Sequence, residues 1–221
     1  YRCFPHIVNL ACQSVLTGMT RVELAKDGSA DYERPIEDEL AASLEEALRG
    51  DPIAVVRSLV KAVRPLCPAL LIIDFPCDFR FGDLQLLRDV DTRWSSTLLM
   101  IDRAILLSGA INKFSESPEF ARSWKYYLTD AEWEALSMYR GILEVPHAFQ
   151  QRLSHEKTPT LANALPAFEA MISVWSEQMH ETPVLAGIIT KGITKLMGYR
   201  ERVDAVPAYT LAIGALFNLL S

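Results

Sequence analysis

Nowhere does the sequence run apolar for the roughly 18 residues that a membrane-spanning helix requires, so no such helix is expected. Cysteine is sparse. Four thiols (Cys3, Cys12, Cys67, Cys77) in 221 residues do not make a disulfide framework, and reduced intracellular thiols are the expectation. Basic charge is in deficit, with 22 Lys and Arg against 28 Asp and Glu and a net charge of −6. A free-standing nucleic-acid binder usually carries the opposite imbalance, although a local basic patch is compatible with it. The opening Tyr1-Arg2-Cys3 has neither an initiating Met nor the charged and apolar regions of a signal peptide. The chain is therefore read as a fragment of a larger reading frame. Internal repeats and low-complexity segments are lacking too. What is there is ordinary for a globular chain: 50% hydrophobic, 23% charged and 9% aromatic residues, enough for a core and one or two domains.

Hydrophobic spacing predicts helices almost throughout. Residues 1–18 give a short lead and a helix with Ile7, Leu10, Ala11 and Leu16 on its stripe, widened by Val8, Cys12 and Val15. A polar loop at 19–35 contains Lys26-Asp27-Gly28-Ser29. An acidic helix follows from Ile36 to Arg49 and ends at Gly50. Asp51-Pro52 then supplies a cap and a first-turn proline for a helix over Ile53–Arg64 with Val56, Leu59, Val60 and Val63 on one face. Residues 65–82 mix prolines with a β-compatible apolar run and read as an irregular insert; Cys67 and Cys77 within it are plain thiols rather than metal ligands. Leu84–Val90 is short, partly alternating and strand-like.

From residue 95 the period becomes helical through Ala110, with Thr92 or Ser95 as the cap and a break at Lys113–Pro118. Thr129-Asp130-Ala131-Glu132 is a capping box that starts a long helix, kinked or divided at Pro146. Thr158-Pro159 and Thr182-Pro183 start two more helices, and an apolar one closes the chain from about Ala208 to Leu220. Trp124, Trp133 and Trp175 fall at core positions, and His147, His155 and His180 read as surface or capping residues.

One stretch concentrates polar chemistry: Asp89-Val90-Asp91-Thr92-Arg93-Trp94-Ser95-Ser96-Thr97. Asp89 and Asp91 lie two apart, so in extended backbone both could reach one divalent ion. The competing reading is that acids ahead of a helix serve its cap and dipole. Arg93 offers a guanidinium for phosphate, and Trp94 an indole on which a base can stack. The alternative for these two is a buried Trp94, with Arg93 paired to Asp89 or Asp91.

The block Asp-Val-x-Thr-Arg-Trp-x-Ser-Thr, followed by Leu99-Met100-Ile101-Asp102-Arg103-Ala104, resembles the signature of hAT-superfamily DNA transposases. Cys3-Phe4-Pro5-His6, with Asn9-Leu10 after it, is similar to that family's Cys-x-x-His helix. By itself Cys-x-x-His is half a zinc site at most, because a tetrahedral site needs a second ligand pair; a buried thiol beside a helix-start histidine is the plainer reading. Ala148–Ser154, Pro159-Thr160-Leu161 and Leu165-Pro166 resemble the family's helical insertion domain.

The resemblance runs in pieces from residue 2 to about 213, and it implies the following. The fold is mainly α: a helical, bundle-like insertion domain over 98–221, joined to part of a ribonuclease-H-like α/β core over 1–97 that keeps one or two strands. Arg93, Trp94 and Ser95 are candidates for DNA contact, and Cys3, His6 and Asn9 for supporting a nearby site. The parent enzyme cuts DNA with three acids and paired Mg²⁺ or Mn²⁺. None of those acids matches a residue here, so the chain is expected to hold no metal, to carry no catalytic residue and to be no enzyme by itself. Expected partners are transposon-end DNA, a second copy or the rest of a transposase, with no membrane; the expected location is nuclear. The other reading is an acidic helical protein–protein interaction module with no nucleic-acid role.

Overall fold

The computed structural model describes residues 4–21, 32, 40–63, 84–90, 93–116, 123–155 and 161–204. The protein is mainly helical. Eight α-helices lie among the described residues: α1 Phe4–Met19, α2 Leu44–Arg49, α3 Pro52–Val63, α4 Trp94–Leu106, α5 Ser108–Glu116, α6 Asp130–His155, α7 Leu161–Glu181 and α8 Ala186–Asp204. Short 3-10 turns at Ser123–Tyr126 and Pro183–Leu185 join them. The chain clusters into two units, Met19–Arg140 in one and Tyr1–Gly18 with Gly141–Ser221 in the other. This differs from the expected division at 97/98, because α1 belongs with the C-terminal half of the chain. Linear reading cannot see such a return.

In the Met19–Arg140 unit the helix starts follow side-chain chemistry. Ser43 Oγ accepts the Glu46 amide at 3.3 Å, while Glu46 Oε2 accepts the Ala42 and Ser43 amides at 2.8 and 3.2 Å. This capping box starts α2 at Leu44, so residues 40–43 are not helical although the acidic pattern predicts it. Asp51 Oδ1 accepts the Ala54 amide at 2.9 Å and opens α3, whose Ile53, Val56, Leu59 and Val60 are buried.

The helix expected to run from 95 through Ala110 instead bends by 71° at Leu107, and α5 extends to Glu116, into the predicted break at Lys113–Pro118, whose last two residues lie outside the described ones. The apolar rows explain the bend: Leu98, Met100, Ile101 and Ala104 are buried in α4, Leu107 at the corner and Ile111 in α5. At Thr129 the predicted capping box is present, with Glu132 Oε2 accepting the Thr129 amide at 2.9 Å. Leu84–Val90, expected as a strand, is not a strand. Among the described residues there is no strand, and so no part of a ribonuclease-H-like sheet.

The other unit is built on α1, the second part of α6, α7 and α8. Its core is Ile7, Val8, Ala11, Cys12 and Val15 of α1, Ile142 and Leu143 of α6, Phe168, Met171 and Trp175 of α7, and Ile189 and Leu196 of α8. Burial pushes the Cys12 thiol well above its ordinary range, so it packs as a small neutral hydrophobe. Helix α6 is continuous through Pro146 rather than divided there. Expectations for Cys67, Cys77, the 65–82 insert and the helix from Ala208 lie outside the described residues.

One close approach fixes this packing. At Gly192 of α8 a Cβ would lie 2.6 Å from Trp175 Cζ3 and 2.6 Å from Val15 Cγ2. Only a residue without Cβ lets three helices meet there. Gly192→Ala is therefore expected to lower unfolding stability by about 1–3 kcal/mol in urea titration. Gly198→Ala in the same helix meets nothing within 4 Å and should raise stability by roughly 0.5–1 kcal/mol. Equal effects at the two positions would contradict this packing.

Candidate functional site

The polar block lies at the start of α4, and its geometry is set by Asp89. The Asp89 carboxylate is only 5% exposed. Its Oδ2 accepts Arg57 Nε of α3 at 2.6 Å. Thr97 Oγ1 lies 3.0 and 3.1 Å from the two oxygens, and the Val90 amide donates to Oδ1 at 2.8 Å. Ser96 Oγ sits 2.6 Å from Asp89 Oδ1 and 2.6 Å from the Arg93 carbonyl, and accepts the Val90 amide at 2.8 Å. Residues 89 and 90 are thus tied to the first turn of α4 by side-chain hydrogen bonds. That tie explains why Leu84–Val90 need not pair as a strand.

The network extends beyond the block. Arg57 Nη1 lies 3.4 Å from Thr20 Oγ1, which donates to Asp51 Oδ2 at 2.9 Å. The Arg21 amide donates to the same oxygen at 2.8 Å. Three segments, at 20–21, 51–57 and 89–97, share one part-buried polar chain with buried carboxylates, Asp51 and Asp89, at its ends. Tyr139 is buried near Asp51 and Arg21. Burial, then the Asp51 charge, pushes its phenol up to about 12, with Arg21 partly opposing.

Chemically this arrangement satisfies groups rather than exposing them. A carboxylate that ligates metal or takes a proton from substrate must keep a lone pair free toward it. Both oxygens of Asp89 are taken up by Arg57, Ser96, Thr97 and Val90, so they do not fit a divalent-ion site. Asp91 lies outside the described residues. Among the described residues, no three His, Cys, Asp or Glu side chains gather as a ligand set.

The expected site residues fall out as follows. Arg93 is exposed and is the N-cap residue of α4, without a side-chain cap bond; Thr92 lies outside the described residues and Ser95 is not the cap. The guanidinium paired to Asp89 is Arg57, not Arg93. Trp94 is 3% exposed, so its indole presents no open face for a base. Ser95 is half-buried. His6 is exposed and Asn9 half-buried on α1, while Cys3 lies outside the described residues. His147 is half-buried and His180 exposed; Trp175 is fully buried, and Trp133 Nε1 donates to Asn112 Oδ1 at 3.3 Å. Arg57 and Thr20 were not legible as site residues. The available signal was Arg57 itself, one charge set among Val55, Val56, Ser58, Leu59 and Val60, all of which are buried.

No protein-family model, curated protein or solved structure matches the chain.

Two outcomes follow from this network. Arg57→Ala leaves a buried carboxylate uncompensated and should cost about 3–5 kcal/mol of stability. Arg93→Ala should stay within about 0.5 kcal/mol. Chemical denaturation of both variants checks this, and comparable losses would mean that Arg93 shares the pair. The raised Tyr139 phenol favours the neutral ring in the folded protein. Its contribution is complete below the ordinary value of 10.0 and is lost as pH rises toward 12. Stability should fall by up to about 1.4 kcal/mol per pH unit through that window, and Tyr139→Phe should remove this slope.

Proposed function

We propose that the chain is a piece derived from a hAT DNA transposase, with no cleavage activity of its own and with residual DNA contact centred on Arg93. The observation that carries this reading is the behaviour of the Asp89–Thr97 block as one unit. Asp89, Ser96 and Thr97 interlock around the start of α4, Trp94 turns inward, and Arg93 is left at the surface. An exposed guanidinium beside a helix N-terminus suits a phosphate. In this arrangement the contact narrows from Arg93, Trp94 and Ser95 to Arg93, with Ser95 beside it. Mg²⁺ or Mn²⁺ belongs to the intact parent enzyme, and Asp89 offers it no free oxygen here. The ribonuclease-H-like core and the nuclear location rest on the family resemblance.

A second reading, an acidic helical module that binds another protein, is favoured by one specific feature. Leu99 and Leu106, seven residues apart on one face of α4, are 46% and 49% exposed. The net charge of −6 points the same way.

Fluorescence anisotropy with labelled duplex and single-stranded DNA, over a salt series starting near 50 mM, separates the two. The transposase reading expects weak, salt-sensitive binding. Arg93→Ala should lower the slope of log K against log salt by about 1. Undetectable binding at the lowest salt, or binding indifferent to Arg93, would sink it in favour of the protein-binding module.

A further inference from the structure

Helix α6 contains a fault that α7 repairs. Pro146 has no amide hydrogen, and its ring crowds the carbonyl four residues earlier, so Ile142 loses its helical donor. Trp175 Nε1 donates to that same Ile142 carbonyl at 3.0 Å. One turn further along α7, Gln178 Nε2 donates to the Gly141 carbonyl at 3.1 Å. Two consecutive carbonyls of α6 are thus capped by two side chains of a neighbouring helix. Gly141 opens the affected turn and has nothing within 4 Å of where a Cβ would stand. The turn is therefore bounded by the residue with the freest backbone and the residue that cannot close the helical bond. The donor is held firmly. Trp175 is fully buried, with its ring against Gly192 and close to Val15 through that contact.

We propose that Gly141–Pro146 is a latched hinge in α6, whose closed, continuous form is set by Trp175 and Gln178 of α7 rather than by α6 itself. With the latch made, the helix runs through the proline. With it broken, the Ile142 carbonyl is buried without a donor and the turn opens ahead of the rest of the fold. Anything that displaces α7 by the width of one hydrogen bond then reads out as opening of α6, a small shift converted to a local order change.

Hydrogen–deuterium exchange of the full chain tests this with five proteins: wild type, Trp175→Phe, Pro146→Ala, the double variant of those two, and Gln178→Leu. Phenylalanine keeps an aromatic ring in the core and removes the N–H. Trp175→Phe should speed exchange of the amides at 141–149 on the order of tenfold, with α2 and α3 unchanged. Pro146→Ala restores the amide donor to the Ile142 carbonyl, so the same substitution in that background should change the exchange by less than about threefold. Gln178→Leu, which leaves the aromatic core alone, should speed the same amides several-fold. If Trp175→Phe acts equally in both backgrounds, the indole serves only packing and the latch is refuted. If the 141–149 amides exchange no faster in Trp175→Phe and Gln178→Leu, no hinge exists.

Discussion

The ion pair between Arg57 and Asp89 is the constraint on which the Met19–Arg140 unit depends. Both side chains are largely withdrawn from water, with 10% and 4% of their surface exposed. Charges in that position are tolerable only when each is compensated and its remaining hydrogen-bonding capacity filled. Here the filling is done by groups from distant parts of the sequence. Thr97 and Ser96 come from the start of α4, the Val90 amide from the segment before it, and Thr20 reaches Arg57 from the end of α1. Satisfying one buried charge therefore fixes where α3, α4 and the 84–90 segment meet. A carboxylate so thoroughly engaged has no oxygen left for catalysis.

The helical character was legible, because it rests on local chemistry. The Thr129–Glu132 box and the Asp51-Pro52 start follow from side chains a few residues from the backbone groups they serve. Most of the core of α1 follows from spacing, although Leu10 of the expected stripe is only half-buried. What was not legible came from distance. Nothing near Asp89 in sequence reveals that Arg57, 32 residues earlier, is its partner; the alternative that the sequence offers is Arg93, paired to Asp89 or Asp91. The strand expected at 84–90 failed for a related reason. Alternation describes a segment with one face buried, whereas here only Asp89 is buried, and its side-chain ties to α4 hold the end of the segment. The bend at Leu107 joins two buried apolar rows, and Ser108-Gly109, a pair that tolerates a kink, follows it directly.

Within the Asp89–Thr97 block, the described residues take different structural roles. Asp89, Ser96 and Thr97 hold the block together, and Trp94 anchors it in the core. Arg93 is left facing solvent. Asp89, Trp94, Ser96 and Thr97, four of the residues on which the proposed hAT resemblance is read, act here as scaffold. DNA contact through Arg93 and association through the exposed leucines of α4 are the two functions proposed for this surface. The other unit shows the same economy in apolar form, with Trp175 filling a core against Gly192 while its N–H answers a carbonyl stranded by Pro146.

A double-mutant cycle between Arg57→Met and Asp89→Asn, read by urea denaturation, tests the organising role of the pair most directly. The account predicts that the double variant is much less destabilised than the sum of the two single changes, with a coupling energy of about 1.5–3 kcal/mol. Additivity within about 0.5 kcal/mol would contradict it, and would mean that the block at the start of α4 is held by packing alone.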